Sequence, residues 1–489
     1  MKKIILTLAA LLTAGCMMAQ NTSHDHIHIY NKDKSLKTIK GADIESIVFD
    51  NKTASGWEKM LINATDGSQA GYEMSKIDSM LFRTTGIPEI HVTLQDYPEW
   101  TELKGAKDDV HPATLYMLGN GMFDDLAEQT VEFRGRGNST WNMPKKPYRF
   151  KMASKASVCG LPKAKTFALI ANYIDNTLMR NTVALWLANY FGMPYSNHCV
   201  PVKVYLNGID KGQYMLTEKI GIGGGSVDID ETTGMLFELD SNYDEVYKYR
   251  YTWTSGWQTK NIPVMVKDPD LDELAADPTV TTITDAKAYF AKWQADFTKM
   301  ADAVTQRSAS ESLSDVIDIE SAVNFFLVNG IASNHEMQHP KSLYIHKKAL
   351  TDGEVYHFGP VWDFDWAFTF NGKEGAAANV PLVQQDGDCG GYSFLKLLFA
   401  NTEFRNLYKQ KLTDFMATGY PQLKAYIEEY ADMIDPTAVE NGNLWPAYTG
   451  GYYTTQGSKD FRNNLATLKK WIDDRLNYMT SDANFGLYK

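Results

Sequence analysis

Cysteine is scarce in this chain: 4 among 489 residues, at positions 16, 159, 199 and 389. Beyond Cys16 the spacings are unrelated, which excludes a disulfide framework and the paired patterns that hold zinc. Cys159, Cys199 and Cys389 read as small buried hydrophobes, with one disulfide left open. A positive excess is also missing. Lys and Arg number 48 against 60 Asp and Glu, a net charge of −12, which argues against nucleic acid as the main partner. After the first 20 residues no apolar run is long enough to cross a membrane.

What is present begins with an export signal. Lys2 and Lys3 precede an apolar run from Ile4 to Ala14, short for a membrane span and right for secretion. Its end has two readings. Thr13-Ala14-Gly15-Cys16 resembles a lipobox with Cys16 as the lipidated residue, although leucine is the usual first residue, whereas Met17-Met18-Ala19-Gln20 suits cleavage after Ala19. Either way the expected location is the cell envelope, as an outer-membrane lipoprotein or a periplasmic or secreted protein. Membrane contact is expected only through that lipid. Hydrophobic residues at 44% and charged ones at 22% suffice for a full core. Aromatics at 12% suit a large enzyme, and equally a surface that stacks on sugars.

An internal repeat follows the signal. At an offset of 33 residues Ile29 matches Ile62, Asp33 matches Asp66, Ile44 matches Ile77 and Phe49 matches Phe82. Each copy reads as a strand, a turn and a later strand ending in Phe. Residues 21–86 are therefore expected to form a small β module or stalk, with Gly86-Ile87-Pro88 as its boundary to a body spanning 87–489. That body shows strand-like runs early, among them Ile90–Leu94, Tyr148–Met152 and Gln213–Thr217. Helical patterns come later: Asp175 resembles an N-cap for a helix to about Tyr190, Phe290 to Val304 carry one apolar stripe, and 320–333, 402–416 and 465–479 read as helices. Gly221–Gly225 and Asp268–Pro278 read as loops. The expected class is α+β, with a β-rich lobe followed by a helical one.

Four blocks carry chemistry. In Gly359-Pro360-Val361-Trp362-Asp363-Phe364-Asp365-Trp366 two carboxylates stand one residue apart among aromatics. On an extended backbone they would share a face about 6–7 Å apart and repel by roughly 2–3 kcal/mol. A buried pair of this kind suits a hard cation; a strand end that caps a turn or meets arginines is an equal reading. Next, Arg134-Gly135-Arg136-Gly137-Asn138-Ser139 leads from a strand into a glycine loop, and Lys145, Lys146, Arg149 and Lys151 stud the return strand. Glycines admit a phosphate to backbone N–H groups and the cations neutralise it, although a solvated basic hairpin has similar composition. Third, Asn334-His335-Glu336 ends a helix ahead of the acid pair, the layout of phosphoryl-transfer sites. Fourth, Val202–Leu206, Asn207-Gly208 and Gln213–Thr217 form a hairpin ending in Glu218-Lys219, with Glu218 inward or in an ion pair with Lys219.

Together these blocks, with Asn172-Tyr173-Ile174-Asp175, Leu178-Met179-Arg180-Asn181 and Val204-Tyr205-Leu206-Asn207-Gly208, resemble the spore coat protein H (CotH) kinase family of atypical protein kinases. The resemblance implies a kinase-like fold and transfer of phosphate from ATP, with Mg²⁺ or Mn²⁺, to Ser or Thr of an exported or surface protein. It implies Asp363 as the metal-binding aspartate with Asp365 beside it, and Arg134, Gly135, Arg136, Gly137, Asn138 and Ser139 over the phosphates. Lys151 is the chosen phosphate cation, with Lys146 and Arg149 close behind, and Glu218 a charge partner or ribose contact. Asn334 and Glu336 stand where the family commonly has Asn-x-Asp. The extra methylene of Glu336 repositions that carboxylate, so an inactive kinase-like surface or scaffold protein is the alternative. A glycan-active surface protein is the third, though glycosidase carboxylates normally come from separate elements.

Overall fold

A computed structural model describes residues 26–32, 36–54, 56–83, 87–120, 122–338, 340–370, 377–382, 390–447, 449–450, 453–454 and 457–487. Cys16, Cys389 and the export segment lie outside the described residues. No helix among the described residues is long and apolar enough to cross a membrane.

The repeat folds by exchange. Its strands are β1 (His26–Asn31), β2 (Leu36–Lys40), β3 (Ile44–Thr53), β4 (Gly56–Ala64), β5 (Gln69–Glu73) and β6 (Ile77–Arg83). The hairpin of the first copy, β1–β2, takes β6 from the second, while β4–β5 takes β3 from the first. A lone two-stranded hairpin cannot bury a face stably, so each copy supplies the other's third strand. The matched pair Ile29 and Ile62 sits at the centre with Ile27 and Met60, in a small core of its own.

Seven strands then close into a barrel: β7 (Glu89–Leu94), β8 (His111–Leu118), β9 (Leu126–Gly135), β10 (Tyr148–Ala156), β11 (Ala164–Ile170), β12 (Val200–Leu206) and β13 (Ile209–Glu218). All neighbours are antiparallel except β7 and β12, whose parallel pairing closes the ring and removes its free edges. Alternate residues point inward, so Val92, Leu115, Phe133, Phe150, Phe167, Val202 and Leu216 fill it.

A second sheet has the order β15–β16–β14–β17–β18, from β14 (Met235–Leu239), β15 (Lys248–Ser255), β16 (Gln258–Asp268), β17 (Leu343–Lys347) and β18 (His357–Phe358). The described residues also hold eight α-helices. They are α1 (Arg180–Tyr190), α2 (Leu271–Ala276), α3 (Ala286–Gln306), α4 (Ile319–Ala332), α5 (Gly391–Ala400), α6 (Thr402–Asp414), α7 (Tyr420–Leu444) and α8 (Phe461–Ser481). The expected stripe is core: Trp293, Phe297, Met300 and Val304 are buried on α3, the first two against Phe237 of the sheet.

The class is mixed α+β, but strands and helices do not separate cleanly along the chain, because the second sheet is threaded between helices. Asp268–Pro278 is not wholly a loop, since α2 forms inside it with Asp270 accepting from the N–H groups of Asp272 and Glu273. Asp175 acts at a distance rather than as the residue before the helix: α1 starts at Arg180, and Asp175 Oδ2 accepts the Arg180 N–H at 2.8 Å. The two-residue gap between α4 and the short 3₁₀ turn His335–Gln338 begins with Ser333 in the left-handed region, φ 48°.

Candidate active site

The acid pair does not lie on a strand. Asp363 has φ 62°, a left-handed conformation uncommon outside glycine, so the extended alternation expected from the sequence is broken at the aspartate itself. Such conformations persist only where neighbours over-determine them. Here the first turn of α1 does so. Asn181 Oδ1 accepts the Phe364 N–H at 2.8 Å, and Asn181 Nδ2 donates to Asp365 Oδ1 at 2.8 Å. The buried Arg180 donates to the Asp365 carbonyl at 3.1 Å.

The basic loop arrives from the barrel. Residue 135 ends β9, a 3₁₀ turn covers Ser139–Asn142, and β10 returns beside β9 with Arg149 opposite Arg134. Both glycines are dictated by packing. A β-carbon on Gly135 would lie 2.4 Å from the Trp141 ring, and one on Gly137, which has φ 78°, would lie 2.2 Å from Thr140 Oγ1. Arg136 reaches across to the acid loop, its guanidinium 5.5 Å from the centre of the Trp362 ring.

Loop and acids border one cleft of about 730 Å³. Arg134, Arg136, Arg149 and Lys219 line it with the 137–140 turn on one side. Glu336, Asp363 and Asp365 line it with Glu238 and Asp240 on the other. The carboxylates strain against one another. Burial, and then the Asp363 charge, hold Glu336 well above the usual carboxylate range. The same two causes push Asp365 up to about 7, and burial with the Glu238 charge pushes Asp240 to about 6. Asp363 is also raised by burial, against the opposing pull of Arg136. Deeper in, Glu238 is matched by Lys267 at 2.9 Å and by the Tyr344 hydroxyl, which donates to it at 2.9 Å.

Hard oxygen donors that repel one another suit a divalent cation. Among the described residues, however, no three His, Cys, Asp or Glu side chains converge closely enough to hold a metal by themselves. The pair Asp363/Asp365 therefore fits an ion that takes its other ligands from substrate phosphate and water, as Mg²⁺ does.

A comparison with protein-family profiles matches this sequence to the CotH kinase protein over residues 133–479, more than half of the chain. The chain belongs to the CotH kinase family. A search of curated proteins finds no match. The CotH match begins inside β9, just ahead of the basic loop, and runs through the acid pair into the last turn of α8.

Within this CotH chain several residues expected at the site stand elsewhere. Lys151, the chosen phosphate cation, points outward from β10 and faces Glu132 at 3.7 Å. It shares the face of Arg149 but lies one pair further along β10, opposite Glu132 rather than Arg134. Lys145 precedes the strand and is fully buried, donating to the Ala171 and Gln213 carbonyls and to Asn441 Oδ1. Lys146 caps the Trp141 carbonyl at 2.8 Å and lies over that ring, off the cleft. Gly135 is spent on Trp141. Glu218 points away, buried, with its carboxylate on the ring and N–H of His198 rather than on Lys219. Alternation on β13 then turns Lys219, unassigned by sequence reasoning, towards the cleft. Asn334 does not line the cleft: its amide donates to Asn329 and its oxygen accepts the Glu336 N–H at 3.2 Å, which sets the turn carrying Glu336. Asp240, Lys267 and Asn181 were missed as well, and only Asn181 left a trace, inside a family motif. Cys159 and Cys199 are both free thiols.

Proposed function

We propose that this chain is an exported atypical protein kinase that transfers phosphate from ATP to a Ser or Thr hydroxyl of an envelope or surface protein. One observation carries the reading: the Arg134–Thr140 loop and the acids Glu336, Asp363 and Asp365 border the same cleft. In this reading Arg136, Arg149 and Lys219 offset the triphosphate charge, and the turn at Gly137, Asn138 and Ser139 covers it. Asp363 and Asp365 would hold Mg²⁺ or Mn²⁺, which supplies charge neutralisation between the phosphates. Glu336 takes the proton of the acceptor hydroxyl as its oxygen bonds to the γ-phosphorus and the bond to the ADP oxygen breaks. Its raised pKa makes it a stronger base than a solvated glutamate once ionised. The export segment and Cys16 support a location in the envelope; cell fractionation with mass analysis of the mature N-terminus tests that part.

A second reading has its own support. Glu336 replaces the common family aspartate, and its extra methylene repositions the carboxylate, which favours a nucleotide-binding scaffold without turnover. Thermal unfolding with ATP, with and without Mg²⁺ or Mn²⁺, and transfer of labelled γ-phosphate to protein separate the two. A kinase shows metal-dependent stabilisation and label transfer that disappears in Asp363→Ala. Stabilisation without transfer supports the scaffold, and a shift only with oligosaccharides refutes both.

A further inference from the structure

Asn181 carries more of the site's geometry than any residue on the acid loop itself. Both ends of its amide are engaged: Nδ2 donates to Asp365 Oδ1 at 2.8 Å and to Asn172 Oδ1 at 3.1 Å, and Oδ1 accepts the Phe364 N–H at 2.8 Å. A backbone N–H can only donate, so the Phe364 contact fixes which end of the amide is oxygen. The nitrogen is thereby committed to the carboxylate. Asp365 Oδ1 is occupied in turn, while Oδ2 makes no hydrogen bond among the described residues.

Arg180 holds the same loop from its backbone side. Its guanidinium donates to the Asp365 carbonyl at 3.1 Å, the Ile174 carbonyl at 3.2 Å and Thr369 Oγ1 at 3.4 Å. Asp175, 3.6 Å away, balances its charge and also takes the Arg180 and Thr177 N–H groups. Asp363, in its left-handed conformation, thus directly precedes two residues, 364 and 365, that are both tethered to the first turn of α1.

We propose that Asn181 is the positioning residue of the acid pair: by gripping Phe364 N–H and Asp365 Oδ1 together, it aims Asp363 and the second oxygen of Asp365 into the cleft as a preformed seat for the divalent cation. The inference rests on the kinase reading above and adds the residue that sets its metal affinity. Partners that orient a metal's ligands typically change affinity 10- to 100-fold when removed. Asn181 makes no hydrogen bond to the Arg134–Thr140 loop among the described residues.

The test is Mn²⁺ binding to the full mature protein with ATP present, followed by paramagnetic relaxation of water, alongside ATP binding in EDTA. For Asn181→Ala the half-saturating Mn²⁺ concentration rises about 10- to 100-fold, while metal-free ATP affinity stays within about twofold. If Asn181→Ala fails to fold, Asn181→Asp keeps an acceptor for the Phe364 N–H but faces Asp365 with a second oxygen, and the same rise is expected. A folded variant whose Mn²⁺ affinity equals wild type overturns the proposal, as does an equal loss of metal-free ATP binding. If wild-type protein itself shows no Mn²⁺ dependence, the kinase reading fails first and this inference falls with it.

Discussion

Asp365 illustrates, at the scale of one residue, how a binding site opposes folding. Its carboxyl titrates near 7 in the folded protein, against about 3.9 for an unfolded aspartate. Between those values the native state holds a proton that the unfolded chain has released, so stability falls as pH rises through this window. Asp240, raised to about 6, adds to the same trend. Replacement of Asp365 by Asn keeps the oxygen that accepts from Asn181 and removes the buried charge. In EDTA, Asp365→Asn is therefore expected to raise the melting temperature by a few degrees at pH 8, with the gain shrinking to nothing near pH 4. A lower melting temperature at pH 8 would contradict the burial argument. The same variant loses stabilisation by ATP and metal, so stability and binding move in opposite directions.

Elements turn the same chemistry into geometry, and the basic hairpin shows how. Its two glycines look alike in the sequence and differ in the fold. Gly135 lies inside the barrel wall against the Trp141 ring, so Gly135→Ala overpacks a closed site and should cost about 1–3 kcal/mol of stability. Gly137 stands in the loop with φ 78°, where a side chain strains the turn by about 1–2 kcal/mol. Gly137→Ala is therefore expected to lower stability by that amount and also to weaken ATP binding about 5- to 30-fold, whereas Gly135→Ala lowers stability alone. Isothermal titration and thermal melts of the two variants check the contrast; equal effects on both readouts would mean that the loop does not meet the nucleotide. The periodicity of α3 was legible because that helix buries one regular face. The start of α1 was not, since its cap comes from Asp175 across an irregular turn whose shape no local pattern encodes.

For the whole molecule, the buried Lys145 ties the barrel to α7. Its ammonium sits among the Ala171 and Gln213 carbonyls and Asn441, 4.4 Å from the centre of the Tyr214 ring. Burial without a contacting carboxylate depresses its pKa well below the lysine norm. Lys145→Ala removes the donor shared by three buried acceptors, of which Asn441 Oδ1 keeps the Gln213 N–H, and is expected to lose about 2–5 kcal/mol. Lys151→Ala, at an exposed pair with Glu132, should stay within about 1 kcal/mol. Chemical denaturation of both reads the difference directly, and a small loss for Lys145→Ala would remove it as the link.

What the amino-acid order determined on its own was the supply of parts. The mixed class, the repeat, the acids at 363 and 365, Glu336 and the arginine loop all follow from residue type and short-range spacing. Which cation meets those acids was settled only in three dimensions. Face alone does not decide it: Lys151 shares the Arg149 face of β10 but stands one pair further along, opposite Glu132, while Lys145 lies ahead of the strand and is buried. The pairing of Asn181 with Asp365, 184 positions apart, likewise exists only because α1 packs beneath the acid loop, a contact that no periodicity along the chain records.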